Sequence, residues 1–181
     1  LTFTDYMDNS LDVTFTYDVG TNGKGRLTNI SDAAGTETYS YDARGNLTSV
    51  VRVINLSSYT TRYAFNGADR LTQITYPSGM EVDYTLDVAG RIIAVDKTVN
   101  TVIESLVTGV VYEPFGPVNT FSYGNGLSMN ATFDQDFELD HLQSGTGLDW
   151  VFGYDDTGAV LTITDLVTPA NNQIFTYDDL Y

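Results

Sequence analysis

One pattern recurs along the 181-residue chain and leaves it little choice of fold. An apolar residue, usually aromatic, precedes Asp or Asn, and Gly or a substitute follows three positions later. Two further apolar residues stand two and five positions beyond the Gly. Tyr41-Asp42 leads to Gly45, Leu47 and Val50; Leu86-Asp87 to Gly90, Ile92 and Val95; Tyr154-Asp155 to Gly158, Val160 and Ile163. Phe65-Asn66 places Asp69 in the Gly position before Leu71 and Ile74, and Phe133-Asp134 places Phe137 there before Leu139 and Leu142. Tyr17-Asp18 reaches Gly25, Leu27 and Ile30 through four extra residues. The leading residues stand at 17, 41, 65, 86, 133, 154 and 177, so the period is about 23, with one gap of 47. That gap predicts a degenerate unit around Val110-Val111-Tyr112-Glu113-Pro114-Phe115-Gly116. The final unit, Tyr177-Asp178-Asp179-Leu180-Tyr181, stops before its core positions.

Each element of the repeat has a physical reason. The ring ends a strand and covers apolar surface. Asp or Asn accepts hydrogen bonds from the amides of the turn that follows. Gly supplies the positive φ that closes the turn. Thr28, Thr48 and Thr72, one place after the first core Leu, suit a half-exposed strand. A period near 23 accommodates two strands of about six residues and two short connections, which is a hairpin repeat. Thirteen Tyr and nine Phe against three Met point the same way. Pro77, Pro114 and Pro117 mark turns or edges, and no segment keeps helical spacing through three turns. The expected fold is all-β: one continuous array, residues 1–181, of about seven to eight antiparallel hairpin repeats, without linker or second domain. The two core positions lie three apart, an odd number that a flat strand would send to opposite faces. Either a β-bulge recurs in every unit or both faces are partly covered.

Charge and composition exclude whole classes of partner. Eight basic residues against 24 acidic give a net charge of −16. Nucleic acid is excluded because counterion release needs Lys and Arg against phosphates, and anionic membrane surfaces are disfavoured by the same repulsion. All eight basic residues precede position 98 while the acidic ones divide evenly, so residues 1–97 carry −4 and 98–181 carry −12. Without cysteine there is no disulfide, thiolate metal site or Cys nucleophile. Apolar runs as short as Ile92-Ile93-Ala94-Val95 span no membrane. The first residues, Leu1-Thr2-Phe3-Thr4-Asp5, hold neither an initiator Met nor a signal peptide, and the chain reads as an excerpt truncated at both ends.

No residue earns a catalytic, cofactor-binding or metal-binding role. His141 is the lone histidine and reads as a surface or turn residue. Trp150, in Leu148-Asp149-Trp150-Val151-Phe152, reads as core rather than as a sugar-stacking ring. Asp134-Gln135-Asp136-Phe137-Glu138-Leu139-Asp140 opens like a calcium loop but has Leu139 where the loop needs Gly and Gly145 where it needs Glu. On a strand its four carboxylates would line one solvated face. Gly20-Thr21-Asn22-Gly23-Lys24-Gly25 has a Lys but no following helix, so it is the enlarged turn of the first unit, not a phosphate loop.

Tyr41-Asp42-Ala43-Arg44-Gly45-Asn46-Leu47-Thr48 resembles the YD repeat of RHS (rearrangement hotspot) proteins. Tyr76-Pro77-Ser78-Gly79-Met80-Glu81-Val82, Tyr112-Glu113-Pro114-Phe115-Gly116 and Tyr123-Gly124-Asn125-Gly126 resemble other recurrent RHS segments. The resemblance covers nearly the whole chain. It implies a sheet of hairpins that spirals into a hollow shell, as in bacterial polymorphic toxins, toxin-complex cocoon proteins and teneurins. In bacterial members the shell encloses a C-terminal toxin that an aspartate autoprotease, located after the repeats, cuts free. This chain lacks that segment and any Asp-Pro pair, so no catalytic residue carries over. The function implied is structural and non-enzymatic: a shell segment that buries Leu, Ile, Val, Tyr and Phe within its wall and encapsulates a C-terminal toxin or effector in a secreted or cell-surface protein. Its partners are the rest of its own shell and the enclosed polypeptide. The alternative is an adhesion module that binds a carbohydrate or cell-surface receptor.

Overall fold

The computed structural model describes residues 2–4, 12–114 and 116–178. Phe115 of the degenerate unit, the opening segment at Leu1 and Asp5, and Asp179-Leu180-Tyr181 therefore lie outside the described residues. The chain forms two compact units, residues 1–86 with 97–103, and residues 87–96 with 104–181.

The strands are β1 (Thr2–Thr4), β2 (Val13–Tyr17), β3 (Leu27–Asp32), β4 (Gly35–Tyr41), β5 (Leu47–Ile54), β6 (Ser57–Phe65), β7 (Leu71–Thr75) and β8 (Glu81–Leu86). They continue as β9 (Ile92–Val99), β10 (Val102–Tyr112), β11 (Val118–Tyr123), β12 (Ser128–Phe133), β13 (Leu139–Ser144), β14 (Leu148–Tyr154), β15 (Val160–Asp165) and β16 (Gln173–Ile174). In the first unit β1 to β8 pair in chain order, all antiparallel. In the second, β10 to β16 do the same. A single turn of 3-10 helix, Pro169–Asn171, interrupts the strands.

The turns follow the repeat. At Asp42, Asn66 and Tyr76 in the first unit, and at Asp87, Glu113, Tyr123, Asp134 and Asp155 in the second, the residue's amide donates to the carbonyl four positions on. The amide three positions on donates back to that residue's carbonyl. Glu113 makes this turn in the stretch where a degenerate unit is expected. The residue in the Gly position has φ of +96° at Gly45, +82° at Gly90 and Gly158, +60° at Asp69 and +63° at Phe137. Asp69 and Phe137 thus adopt the left-handed conformation at a cost that Gly avoids.

The structure decides the question of the odd spacing. A register shift falls just before the turn in β2–β3, β4–β5, β6–β7, β12–β13 and β14–β15. The extra residue brings both core positions to one face, so that Tyr41 faces Leu47 and Tyr39 faces Val50. Where that extra residue is Thr it also satisfies the carbonyl the bulge leaves free: Thr28, Thr48 and Thr72 donate to Thr16 O, Ser40 O and Ala64 O at 3.1, 3.1 and 3.2 Å.

The result is a sheet with two unlike faces in each unit. In the first, Phe15, Ile30, Tyr39, Val50, Tyr63, Ile74 and Val82 share one face, and Thr16, Asn29, Thr38, Ser49, Arg62 and Gln73 the other. In the second, Phe121, Met129, Leu142, Trp150, Phe152 and Ile163 share one face, and Ser122, Asn130, Gln143, Asp149 and Thr162 the other. The apolar residues expected to be buried within the wall are mostly only half-buried. Among the described residues just Val82 and Ala131 are buried hydrophobics, and no large side chain is fully enclosed. A single layer lacks the second layer that would cover its apolar face.

Candidate interaction surface

The Asp-turns set the rim of each sheet, and there the side chains of one repeat reach the next. In the first unit Asp42 Oδ1 accepts the amides of Arg44 and Asn46, both at 2.9 Å, and Asn66 Oδ1 those of Ala68 and Arg70 at 2.9 and 3.1 Å. Arg44 then crosses to the following turn. Its guanidinium donates to Gly67 O at 3.0 Å and Asn66 O at 3.1 Å and pairs with Asp69 at 2.7 Å. Asn46 Nδ2 also donates to Asp69, at 2.6 Å. The Asn46 amide group, followed by backbone amides, holds the Asp42 carboxyl below its ordinary value.

The second unit builds the same turns from carboxylates. Asp134 Oδ1 accepts the amides of Asp136 and Glu138 at 2.9 Å, and Asp155 Oδ1 those of Thr157 and Ala159 at 2.8 and 3.0 Å. Asp134, Asp136, Glu138, Asp140, Asp155 and Asp156, with Phe152 and Tyr154, line an open depression of about 560 Å³. Burial, then the charges of Asp134 and Asp136, push the Glu138 carboxyl up. The Thr157 hydroxyl and the turn amides hold Asp155 down. Residues 134–138 form a turn, so the carboxylates do not line one strand face; the Asp side chain is spent on the turn's own amides. Among the described residues no group of three or more His, Asp or Glu is arranged to hold a metal ion.

A second recurrent contact joins the strands behind the turns. The Tyr41 hydroxyl donates to Leu27 O at 2.7 Å, Tyr112 to Ile92 O at 2.7 Å, Tyr154 to Leu139 O at 2.9 Å and Tyr177 to Val160 O at 2.8 Å. In each case the leading Tyr of one repeat reaches the first core residue of an earlier one. Arg26 stacks over Tyr41 at 5.6 Å and Arg91 over Tyr112 at 4.4 Å. The corresponding residue before Leu139 is Glu138, whose charge, after burial, helps to raise the Tyr154 hydroxyl.

The remaining residues singled out from sequence are placed as follows. His141 lies half-buried on β13, on the polar face, with Nε2 2.5 Å from Asp149 Oδ1, and Gln143 donates to the other oxygen of Asp149 at 3.1 Å. Trp150 lies on the apolar face opposite Asp165. Gly20 to Gly25 form the wide turn of the first repeat, closed by Asp18 N to Arg26 O at 3.1 Å.

Sequence reasoning passed over two polar clusters. On the apolar face of the first unit, Glu37 accepts from the Tyr39 hydroxyl at 2.8 Å and from Arg52 Nε at 2.8 Å. The Tyr39 bond, with Arg52, lowers the Glu37 carboxyl, while burial and then Glu37 push the Tyr39 hydroxyl up to about 12. In the second unit Asp165 is buried, 7% exposed, and accepts Val167 N, Thr168 N and Asn171 Nδ2 at 2.9, 2.8 and 3.1 Å. Asp165 three residues before Thr168-Pro169 is the signal that marks such a capped loop.

Antiparallel hairpins in chain order, Asp-led five-residue turns and a recurring bulge define a class, the open hairpin-repeat sheet. Comparison with known proteins makes the class specific. The RHS repeat model matches residues 22–53 and 65–101. Double-stranded DNA deaminase toxin A of Burkholderia cenocepacia (strain H111) is 35% identical over 85 residues, 47% of this chain and 6% of that protein. The TcdB2-TccC3 structure without its hypervariable C-terminal region superposes with a TM-score of 0.82 at 18% identity, covering 93% of this chain and 10% of that one. A Photorhabdus luminescens Tc holotoxin pore matches with a TM-score of 0.74 at 17% identity, covering 85% and 9%. The chain carries RHS repeats over the matched residues and has the fold of these RHS-type structures, and it spans a tenth or less of the length of these relatives.

Proposed function

We propose that this chain is a length of shell wall that works by containment and not by catalysis. The parent would be a secreted bacterial toxin-delivery protein, and the cargo its own C-terminal polypeptide. The observation that carries this reading is the asymmetry of the sheet. One face of each unit is dominated by half-exposed Tyr, Phe, Leu, Ile and Val around the Glu37–Arg52 pair and Asp165, the other by Ser, Thr, Asn and Gln with Val51, Val53 and Val151 among them. A single-layer wall in water turns its polar face outward and its apolar face towards the enclosed chain, because exposed apolar patches otherwise seek partners. The named relatives agree with it: one is a toxin, and another is a complex described by the absence of its C-terminal region.

The test is to compare the parent's mass on a denaturing gel with its behaviour on a native sizing column. A C-terminal piece that separates under denaturation yet travels with the shell natively is the expected result. A parent that remains one uncut chain overturns it. A carbohydrate- or receptor-binding adhesion module on the same sheet then becomes the reading to test.

A further inference from the structure

The recurring bulge has a consequence for every pair of strands that joins one repeat to the next. Pairing of β3 with β4 stops at Asn29↔Thr38, leaving Leu27 beyond the ladder. Pairing of β13 with β14 stops at His141↔Val151, leaving Leu139, and that of β15 with β16 stops at Thr162↔Ile174, leaving Val160. In all three the free carbonyl beyond the ladder receives a tyrosine hydroxyl, from Tyr41, Tyr154 and Tyr177 respectively. The tyrosine therefore closes the splayed end of the pair, where backbone bonding has run out.

The same splay occurs where the leading residue has no hydroxyl. Pairing of β11 with β12 stops at Thr120↔Asn130, and Phe133 stands where Tyr would reach Val118. Pairing of β7 with β8 stops at Gln73↔Asp83, and Leu86 stands where Tyr would reach Leu71. The junction of β5 with β6, led by Phe65, also lacks a hydroxyl. Its ladder is long, from Ser49↔Arg62 to Ile54↔Ser57, and the Arg44 contacts to Asn66, Gly67 and Asp69 span its rim.

We infer that the YD tyrosine is a hydroxyl latch between consecutive repeats, and that the β11–β12 and β7–β8 junctions are unlatched seams at which each unit opens first. Opening there presents two unpaired strand edges, the form in which a sheet accepts another strand. The inference concerns the order of local opening and stands whether or not the wall encloses a cargo.

Hydrogen exchange on the intact protein tests it, because exchange reports local opening segment by segment. In the wild type, amides of 118–133 should exchange faster than those of 139–154. A single hydrogen bond is worth about a threefold to tenfold change in an opening equilibrium. Tyr154→Phe should therefore speed exchange by about that factor at 139–154 alone. Phe133→Tyr should slow it by about the same factor at 118–133 alone. The inference is overturned if the two wild-type segments are equally protected, if Tyr154→Phe leaves 139–154 unchanged, or if it speeds exchange uniformly along the chain. An unchanged 118–133 in Phe133→Tyr also overturns it; should that variant not fold, Tyr154→Phe decides.

Discussion

The rims of the two units make one backbone turn under opposite electrostatics. At residues 42–46 and 66–70 an arginine laces neighbouring turns, with Arg44 bonded to two carbonyls and to Asp69. At 134–140 and 155–159 six carboxylates crowd together without an ion pair among the described residues, and Glu138 is pushed up by burial and then by its neighbours. Yet the amide-to-carbonyl bonds are the same, at 3.0 Å from Asp42 to Asn46 and from Asp134 to Glu138. The turn is held by the Asp side chain on its own backbone, and charge between turns is adjustable on top of it.

The largest test of that comparison removes the shared part. Asp42→Ala and Asp155→Ala should each lower the melting temperature by about 4 °C, and by equal amounts, since each loses two amide bonds. A much smaller loss in the first unit would mean that the Arg44 lacing carries its turn.

The next test converts one rim into the other. Glu138→Arg places a guanidinium over Tyr154, as Arg26 and Arg91 lie over their tyrosines, and among Asp134, Asp136 and Asp155. A rise in melting temperature of about 3 °C is expected, largest at low salt.

Titration sets Glu138 apart by sign from the rim carboxylates Asp42 and Asp155, the latter of its own unit. Asp42 and Glu37 are held low in the folded state, so their contribution is present above their unfolded values and lost as pH falls through the folded ones. Glu138 is held high, so its contribution is present below its ordinary 4.5 and lost as pH rises through its folded value. Glu138→Gln should remove that loss and raise stability at neutral pH, with the gain vanishing below the glutamate range in melting curves taken from pH 7 to 4. A gain that persists at pH 4 would point to packing instead.

The smallest effect is expected at Arg44 itself. Its ion pair with Asp69 is nearly half exposed on both sides, and such pairs contribute about 0.5 kcal/mol. A double-mutant cycle with Asp69→Ala should give a coupling of that size, diminished by salt.

Much of this fold is legible in the sequence because the repeat is local. Tyr41-Asp42 with Gly45 and Leu47 specifies a turn and two strand ends within a few residues, and the odd spacing of Leu47 and Val50 already demanded a bulge or two covered faces. Asp134 to Asp140 misled because alternating carboxylates read as one strand face, whereas the Asx bonds of Asp134 make a turn. The tyrosine latches were illegible because their acceptors are backbone carbonyls 14 to 20 positions away, which no side-chain pattern marks. The half-covered aromatic face was misjudged as a core because alternation gives the face of a strand but not what lies above it. The buried Asp165 depends on Trp150, Asn171 and a short loop meeting in space.

The central claim, a wall with its apolar face turned inward, is tested most directly at two adjacent threonines. Thr60 faces Val51 on the polar side of β6, and Thr61 faces Val50 on the apolar side. The chain holds no cysteine, so single Thr60→Cys and Thr61→Cys variants report their faces cleanly. In the intact, native parent a bulky maleimide should modify Thr60→Cys readily and Thr61→Cys only after denaturation. Equal labelling of both, or faster labelling of Thr61→Cys, would contradict the account.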